Sequence, residues 1–216
     1  MNFDRLAPYY DWMEALTAGG RLQQARTTWL DELDGRRRIL SAGEGHGRFA
    51  AACAARHPAA EITCIDASGA MVARARSRTR EMSGQFRWHC GDLLAWEPAG
   101  MFDAVATCFF LDCFPPATLD RVVARLASCA TADALWLVVD FQIPPRGLRH
   151  WRARAVHALM YAFFRRVTAL PARRLSPPDE LLRAHGFALE GRREFNRGLI
   201  HADLWRRSVP ATLIRS

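Results

Sequence analysis

Arg36-Arg37-Arg38-Ile39-Leu40-Ser41-Ala42-Gly43-Glu44-Gly45-His46-Gly47-Arg48-Phe49-Ala50-Ala51-Ala52 is the stretch that decides the fold. Three basic residues lead into a short apolar run. Glycines then alternate at 43, 45 and 47, and residues of helix-forming composition follow. The pattern predicts a strand, a tight turn and a helix N-terminus. Glycine suits such a turn because it tolerates positive φ and lets a ligand reach the backbone without meeting a Cβ. The first turn of the helix offers unpaired N–H groups to a polar or anionic ligand.

Downstream, the same unit repeats. A helix over 48–56 stops at His57-Pro58, and Glu61 to Ile65 is a second strand. That strand ends at Asp66-Ala67-Ser68, where Ser68 can cap a helix running to about Glu81. Gln85 to Cys90 is a third strand and Phe102 to Cys108 a fourth. A helix over 117–130 leads to an apolar fifth strand, Ala134 to Asp140. Five strand–helix alternations call for a parallel, doubly wound α/β sheet. An acidic residue at the tip of strand 2 suits a ribose diol, since two carboxylate oxygens can accept from two hydroxyls. Asp66 lies 19 residues after Gly47. The dinucleotide fingerprint G-x-G-x-x-G fits imperfectly, because its third glycine would fall at Arg48.

The turn as written, Gly43-Glu44-Gly45-His46-Gly47, resembles motif I of the class I S-adenosyl-L-methionine (SAM) dependent methyltransferases. Phe3-Asp4-Arg5-Leu6-Ala7-Pro8-Tyr9-Tyr10-Asp11 resembles the leading stretch of the ubiquinone and menaquinone biosynthesis type. The resemblance implies a Rossmann-like, seven-stranded, mostly parallel sheet whose last two strands form an antiparallel hairpin. It implies SAM as cofactor, held by Gly43, Gly45 and Gly47, by Asp66 with Ala67 at the ribose, and by Asp92 with Leu93 at the adenine. Tyr10 would lie near the methionine part, and Phe109 and Leu111 in the loop after strand 4 would cover the cofactor. That loop, Phe109-Phe110-Leu111-Asp112-Cys113-Phe114, has one charge. Asp112 is therefore the first candidate to orient or deprotonate an acceptor, followed by His150 and His157. One departure stands out. The family has an acid two residues before the first glycine, and this chain has Ser41, for which Glu44 is the candidate substitute.

After strand 5 the character changes. Residues 147–168 form a basic, aromatic, amphipathic helix on which Trp151, Ala155, Ala158, Leu159 and Ala162 share a face. Three readings stand for it: an acceptor pocket, packing on the core, or contact with a membrane surface. His150 and His157 have no third ligand, so no metal is expected. Ser176 should cap a short helix, and residues 187–195 and 199–207 read as two strands joined at Asn196-Arg197-Gly198.

One domain over 1–216 accommodates all of this: a helical cap over 1–34, a cofactor-binding core over 36–140, the insert over 141–175, and the last helix and hairpin over 176–216. Within the cap, helices are expected over 4–17 and 21–33. All 30 basic residues are Arg. Residues 141–216 hold 15 of them against five acids, which concentrates the positive charge in the final third. The six cysteines lack zinc spacing and read as small buried residues. No signal pattern or long charge-free apolar window is present, so a cytoplasmic protein is expected. The aromatic loop and the aromatic, basic insert favour a small, hydrophobic or anionic acceptor, and neither the Asn-Pro-Pro-Tyr nor the Asp-Pro-Pro-Tyr tetrapeptide that nucleic-acid and protein amide N-methyltransferases of the resembled class often carry follows strand 4, which argues against a nucleic-acid partner. The alternatives are an NAD-linked oxidoreductase and a non-catalytic binding protein of the same fold. Oligomeric state is not legible.

Overall fold

The alternation of apolar residues places the sheet in the middle of the molecule. In the computed structural model, which describes residues 20–168 and 175–208 (side chains of 159–168 excepted), seven strands form one sheet. They are β1 (Arg38–Ala42), β2 (Glu61–Asp66), β3 (Gln85–Cys90), β4 (Phe102–Cys108), β5 (Ala130–Phe141), β6 (Phe187–Phe195) and β7 (Ile200–Arg207). Their order is β3-β2-β1-β4-β5-β7-β6. The first five run parallel, and β7 lies antiparallel between β5 and β6. The expected doubly wound sheet with its reversed terminal hairpin is therefore what forms.

Successive side chains on a strand point to opposite faces. Leu40, Ala42, Val105, Trp136 and Val138 accordingly enter one core, against Leu119, Val122, Val123 and Leu126. Those four lie on the helix Pro116–Ser128. Ile39, Ile62, Cys64, Ala106, Leu135 and Leu137 enter the other core, against Phe49, Ala50 and Cys53 of the helix Arg48–Arg56. Burial on both faces explains the near-continuous apolar composition of β5. We number the helices α1 (Gly20–Thr27), α2 (Arg48–Arg56), α3 (Gly69–Thr79), α4 (Pro116–Ser128), α5 (Leu148–Thr168) and α6 (Asp179–Ala184).

Three expectations are corrected. The helix predicted over 21–33 breaks after Thr27 into a 3-10 turn at Leu30–Leu33. Thr27 and Thr28 hydroxyls donate back to the carbonyls of Gln23 and Gln24, at 3.0 and 2.7 Å, which competes with continued helix. Trp29 is drawn instead to the sheet, where its Nε1 donates to Ala202 O at 3.0 Å. Ser176 does not cap α6, whose N-cap is Pro178 without a side-chain bond. Cys90 is exposed, although all six cysteines are free. The expected helix over 4–17 lies outside the described residues.

Candidate functional site

The ends of β1, β2, β3, β4 and β5 meet at one sheet edge, where open α/β sheets bind ligands. The turn after β1 is anchored by Gly43 N–H, which donates to Ile65 O at 2.8 Å. Its three glycines all have positive φ, at 67°, 64° and 86°, but they face different things. A Cβ on Gly43 would come within 2.0 Å of the Phe110 ring, and one on Gly47 within 2.8 Å of the Ala75 backbone in α3. Gly45 faces open space. Of the three, then, Gly45 offers bare backbone to a ligand, Gly47 lets α2 and α3 pack closely, and Gly43 receives an aromatic ring.

Ser41 and Glu44 form a buried pair beneath this turn. The Ser41 hydroxyl donates to Glu44 Oε2, and Glu44 Oε1 accepts from Ala50 N–H at 3.0 Å. The carboxyl is thus folded back to the foot of β1. Burial pushes it up to about 7, opposed by the bonds from Ser41 and Ala50 and by the charge of Arg26. Arg26, on α1, is itself 5% exposed, and its guanidinium stacks over the Phe109 ring at 5.0 Å. No pattern in the sequence marked Arg26.

Asp66 ends β2 with both oxygens engaged by backbone: Oδ2 accepts from Gly45 N–H at 2.9 Å and Oδ1 from Ser68 N–H at 2.8 Å. A carboxylate oxygen can accept more than one hydrogen bond. Gly91 N–H donates to Asp66 O at 3.0 Å, joining the β2 and β3 tips. Ala67 and Asp92 are exposed there, and Leu93 is buried. Asp92 Oδ1 accepts from Leu94 N–H at 3.0 Å.

The loop after β4 departs from expectation. Leu111 has no exposed surface and belongs to the core beside Leu40 and Trp136, so it cannot touch a ligand. Phe109 has a left-handed backbone at φ 55° and its ring packs on Phe141 at 5.0 Å. The residue lying over the turn is Phe110, held by its N–H to Asp140 Oδ1 at 3.0 Å and by an edge contact to Phe114. Asp112 turns toward Asp140 and His201. Its carboxyl is pushed up to about 6 by burial, against bonds from Cys113 and Asp140 and the charge of His201. Burial and the charge of Asp112 hold Asp140 well above the carboxylate range. Two adjacent buried carboxyls ionise one after the other, and the pair titrates as a unit.

The hairpin supports this pair. His201 is directly opposite Asp140 in the β5–β7 register, and its Nδ1 lies 3.0 Å from Asp203 Oδ2. Asp203 is gripped by both arms of Arg192, at 2.7 and 2.6 Å. Burial alone would raise its pKa, but the bonds and charges of Arg192 and His201 hold it below the ordinary value. Asp140 was visible in the sequence as the acid ending an apolar run. Its pairing with Asp112 and His201 was not, because strand register sets it.

His150 and His157 take anchoring positions instead. His150 Nδ1 bonds Pro144 O at 2.8 Å and His157 Nε2 bonds Gln142 O at 3.2 Å, tying α5 to the segment after β5. Burial lowers the pKa of His157, so the ring is neutral near pH 7. Tyr10 lies outside the described residues. Among the described residues, no cluster of three or more His, Cys, Asp and Glu could hold a metal.

A seven-stranded sheet with a reversed last strand, a glycine turn after β1 and acids at the β2 and β3 tips define the class I methyltransferase architecture. Residues 39–133 match the family model described as "Methyltransferase domain". The chain is similar to a demethylmenaquinone methyltransferase of Thermus thermophilus, 29% identical over 148 residues. That match covers 67% of this chain and 66% of the relative, just under two thirds of its length. The mitomycin 7-O-methyltransferase MmcR superposes with a TM-score of 0.71 at 19% identity, covering 96% of this chain and 61% of that one. The magnesium protoporphyrin IX methyltransferase ChlM of Synechocystis PCC 6803, solved with bound SAH, gives 0.68 at 19% identity and covers 95% and 97%. At such identities these structures speak for the fold alone. Residues 39–133 thus carry a methyltransferase domain, on a fold shared with solved SAM-dependent methyltransferases.

Proposed function

We propose that this chain methylates a small, hydrophobic or anionic acceptor, with SAM held at the β1–β2–β3 edge. One observation carries the reading: the Gly45 backbone, the Asp66 carboxylate and Asp92 converge at the tips of three successive parallel strands, next to a loop whose one charge is Asp112. The residues present suit the cofactor. Gly45 leaves space that a Cβ would fill. A carboxylate at Asp66 suits a pair of ribose hydroxyls, and one at Asp92 suits an amino group. The Ser41–Glu44 pair supplies the acid that the family carries two residues before the first glycine.

When bound, SAM supplies an electrophilic sulfonium methyl, so the protein's part is chiefly proximity and orientation. Asp112 receives the proton of a hydroxyl, amine or activated carbon nucleophile. A carboxyl raised to about 6 is still ionised at pH 7 and is a stronger base than an ordinary Asp. Asp140, which keeps its own proton, donates a hydrogen bond to the Asp112 carboxylate, and Phe110, Phe114 and Phe141 exclude water from one side. The name of the bacterial relative makes its acceptor a demethylmenaquinone, and a comparable hydrophobic ring suits the aromatic loop here.

Calorimetric titration with SAM, its demethylated product and NAD tests the reading. Micromolar binding of SAM and product without NAD is the expected result. NAD binding alone would overturn it. The antiparallel β7 disfavours NAD, since a dinucleotide-binding domain ends on a parallel strand.

A further inference from the structure

Helix α5 has two faces with different employment. Its inner face is docked. Ala153 and His157 are buried, Val156 packs on the cluster containing Val139 and Ile200, and the Arg152 guanidinium bonds Asn196 O and Oδ1 at 3.2 and 3.1 Å. Its outer face is uncovered and apolar along its axis. Leu148 is 89% exposed and Trp151 66%, and Ala155 and Ala158 continue the same stripe in the open. Arg146, Arg149 and Arg154 are exposed around that stripe, with Arg154 stacked on the Trp151 ring at 5.5 Å. The charge is unrelieved: residues 141–178 contain eight Arg and no acid.

From this arrangement we infer that the exposed face of α5 docks the protein on an anionic membrane surface. Leu148 and Trp151 enter the headgroup–acyl boundary, and Arg146, Arg149 and Arg154 meet the lipid phosphates. Adjacent protruding Leu and Trp are uncommon on a monomer's free surface. A helix with an apolar stripe, a Trp and a ring of arginines has the composition of helices that lie in the interface plane. Charge complementarity selects the occupant. A second copy would bring Arg against Arg across the contact, whereas an anionic leaflet attracts every one of these charges. Among the described residues no helix is long and apolar enough to cross a membrane, so the contact is peripheral. This inference does not depend on methyl transfer, although a lipid-soluble acceptor would be met at that surface.

The test is cosedimentation of the full chain with phosphatidylglycerol-containing vesicles and with pure phosphatidylcholine vesicles. Binding to the anionic vesicles is expected, weakening with salt and nearly absent on the neutral ones. Leu148→Ser with Trp151→Ser should lower binding by about tenfold or more, and Arg149→Gln with Arg154→Gln by a similar factor, about fivefold per charge. All these side chains are exposed, so thermal midpoints should stay at the wild-type value. Quenching of tryptophan emission by brominated acyl chains should fall in Trp151→Phe, which keeps the aromatic ring but removes the indole. Absence of binding to anionic vesicles, or unchanged binding by the Leu148/Trp151 variant, would overturn the inference. So would a concentration-dependent dimer abolished by that variant without vesicle binding, or capture of a polynucleotide that depends on the arginines but not on Leu148 and Trp151.

Discussion

Glu44→Gln should make the protein more stable and a poorer cofactor binder, and the stability effect should depend on pH. The wild-type carboxyl is pushed from 4.5 to about 7 by burial, after the opposing contributions of Ser41, Ala50 and Arg26 are included. Between those values the unfolded chain has released the proton while the folded chain retains it. Stability therefore falls as pH rises through that window and levels off above about 7. At 1.36 kcal/mol per pH unit, holding the ionised group in the fold costs about 3 kcal/mol at alkaline pH. Glutamine does not titrate. Its carbonyl still accepts from Ala50 N–H, and its amide can donate to the Ser41 oxygen. The variant's advantage should thus be small at pH 5 and about 3 kcal/mol at pH 8, or roughly 6–12 °C in Tm for a chain of this size. Urea and thermal unfolding at the two pH values measure it. If Glu44 replaces the family's missing acid, SAM affinity should fall in the same variant by about tenfold or more. An equal stability difference at pH 5 and pH 8, or a variant less stable than wild type at pH 8, would refute the reasoning.

Asp66→Ala removes the acceptor for Gly45 and Ser68 N–H together with the carboxylate proposed to hold the ribose, so SAM affinity should drop about a hundredfold or more by calorimetry; unchanged affinity would remove Asp66 from the proposed site. Gly47→Ala should lower Tm more than Gly45→Ala. Both carry the left-handed backbone cost of about 1–2 kcal/mol, but a Cβ at 47 also meets the Ala75 backbone at 2.8 Å. Gly45→Ala should instead act mainly on cofactor affinity. Asp112→Asn should abolish the acidic limb of the pH–rate profile, centred near pH 6. It should also slow methyl transfer about 10²–10⁴-fold with little change in SAM binding; a profile that keeps its limb would assign the titration elsewhere.

Much of the fold was legible because its signals are local. Strand periodicity, the Ser68 cap and the helix starting at Arg48 each depend on a few neighbouring residues. They place Asp66 and Asp92 at strand tips without knowledge of which strands are neighbours. Of the site itself, the turn was legible as a turn, but the separate duties of its glycines were not. Gly47 answers to Ala75, 28 positions away in sequence, and Gly43 answers to Phe110. Leu111 and Phe110 are adjacent in an apolar loop, and only the packing of that loop sends one into the core and the other over the turn.

By itself, the sequence determined the parallel sheet, the glycine turn after β1, the acids that end β2 and β3, and the reversed hairpin, because backbone conformation and side-chain period are properties of short segments. Tertiary structure alone decided that Asp140 and His201 stand opposite each other beside Asp112, that Arg26 lies buried between the turn and Phe109, and that α5 turns Leu148 and Trp151 outward. Those juxtapositions depend on strand register and helix docking, which minimise the free energy of the whole core and leave no imprint on any one stretch of the chain.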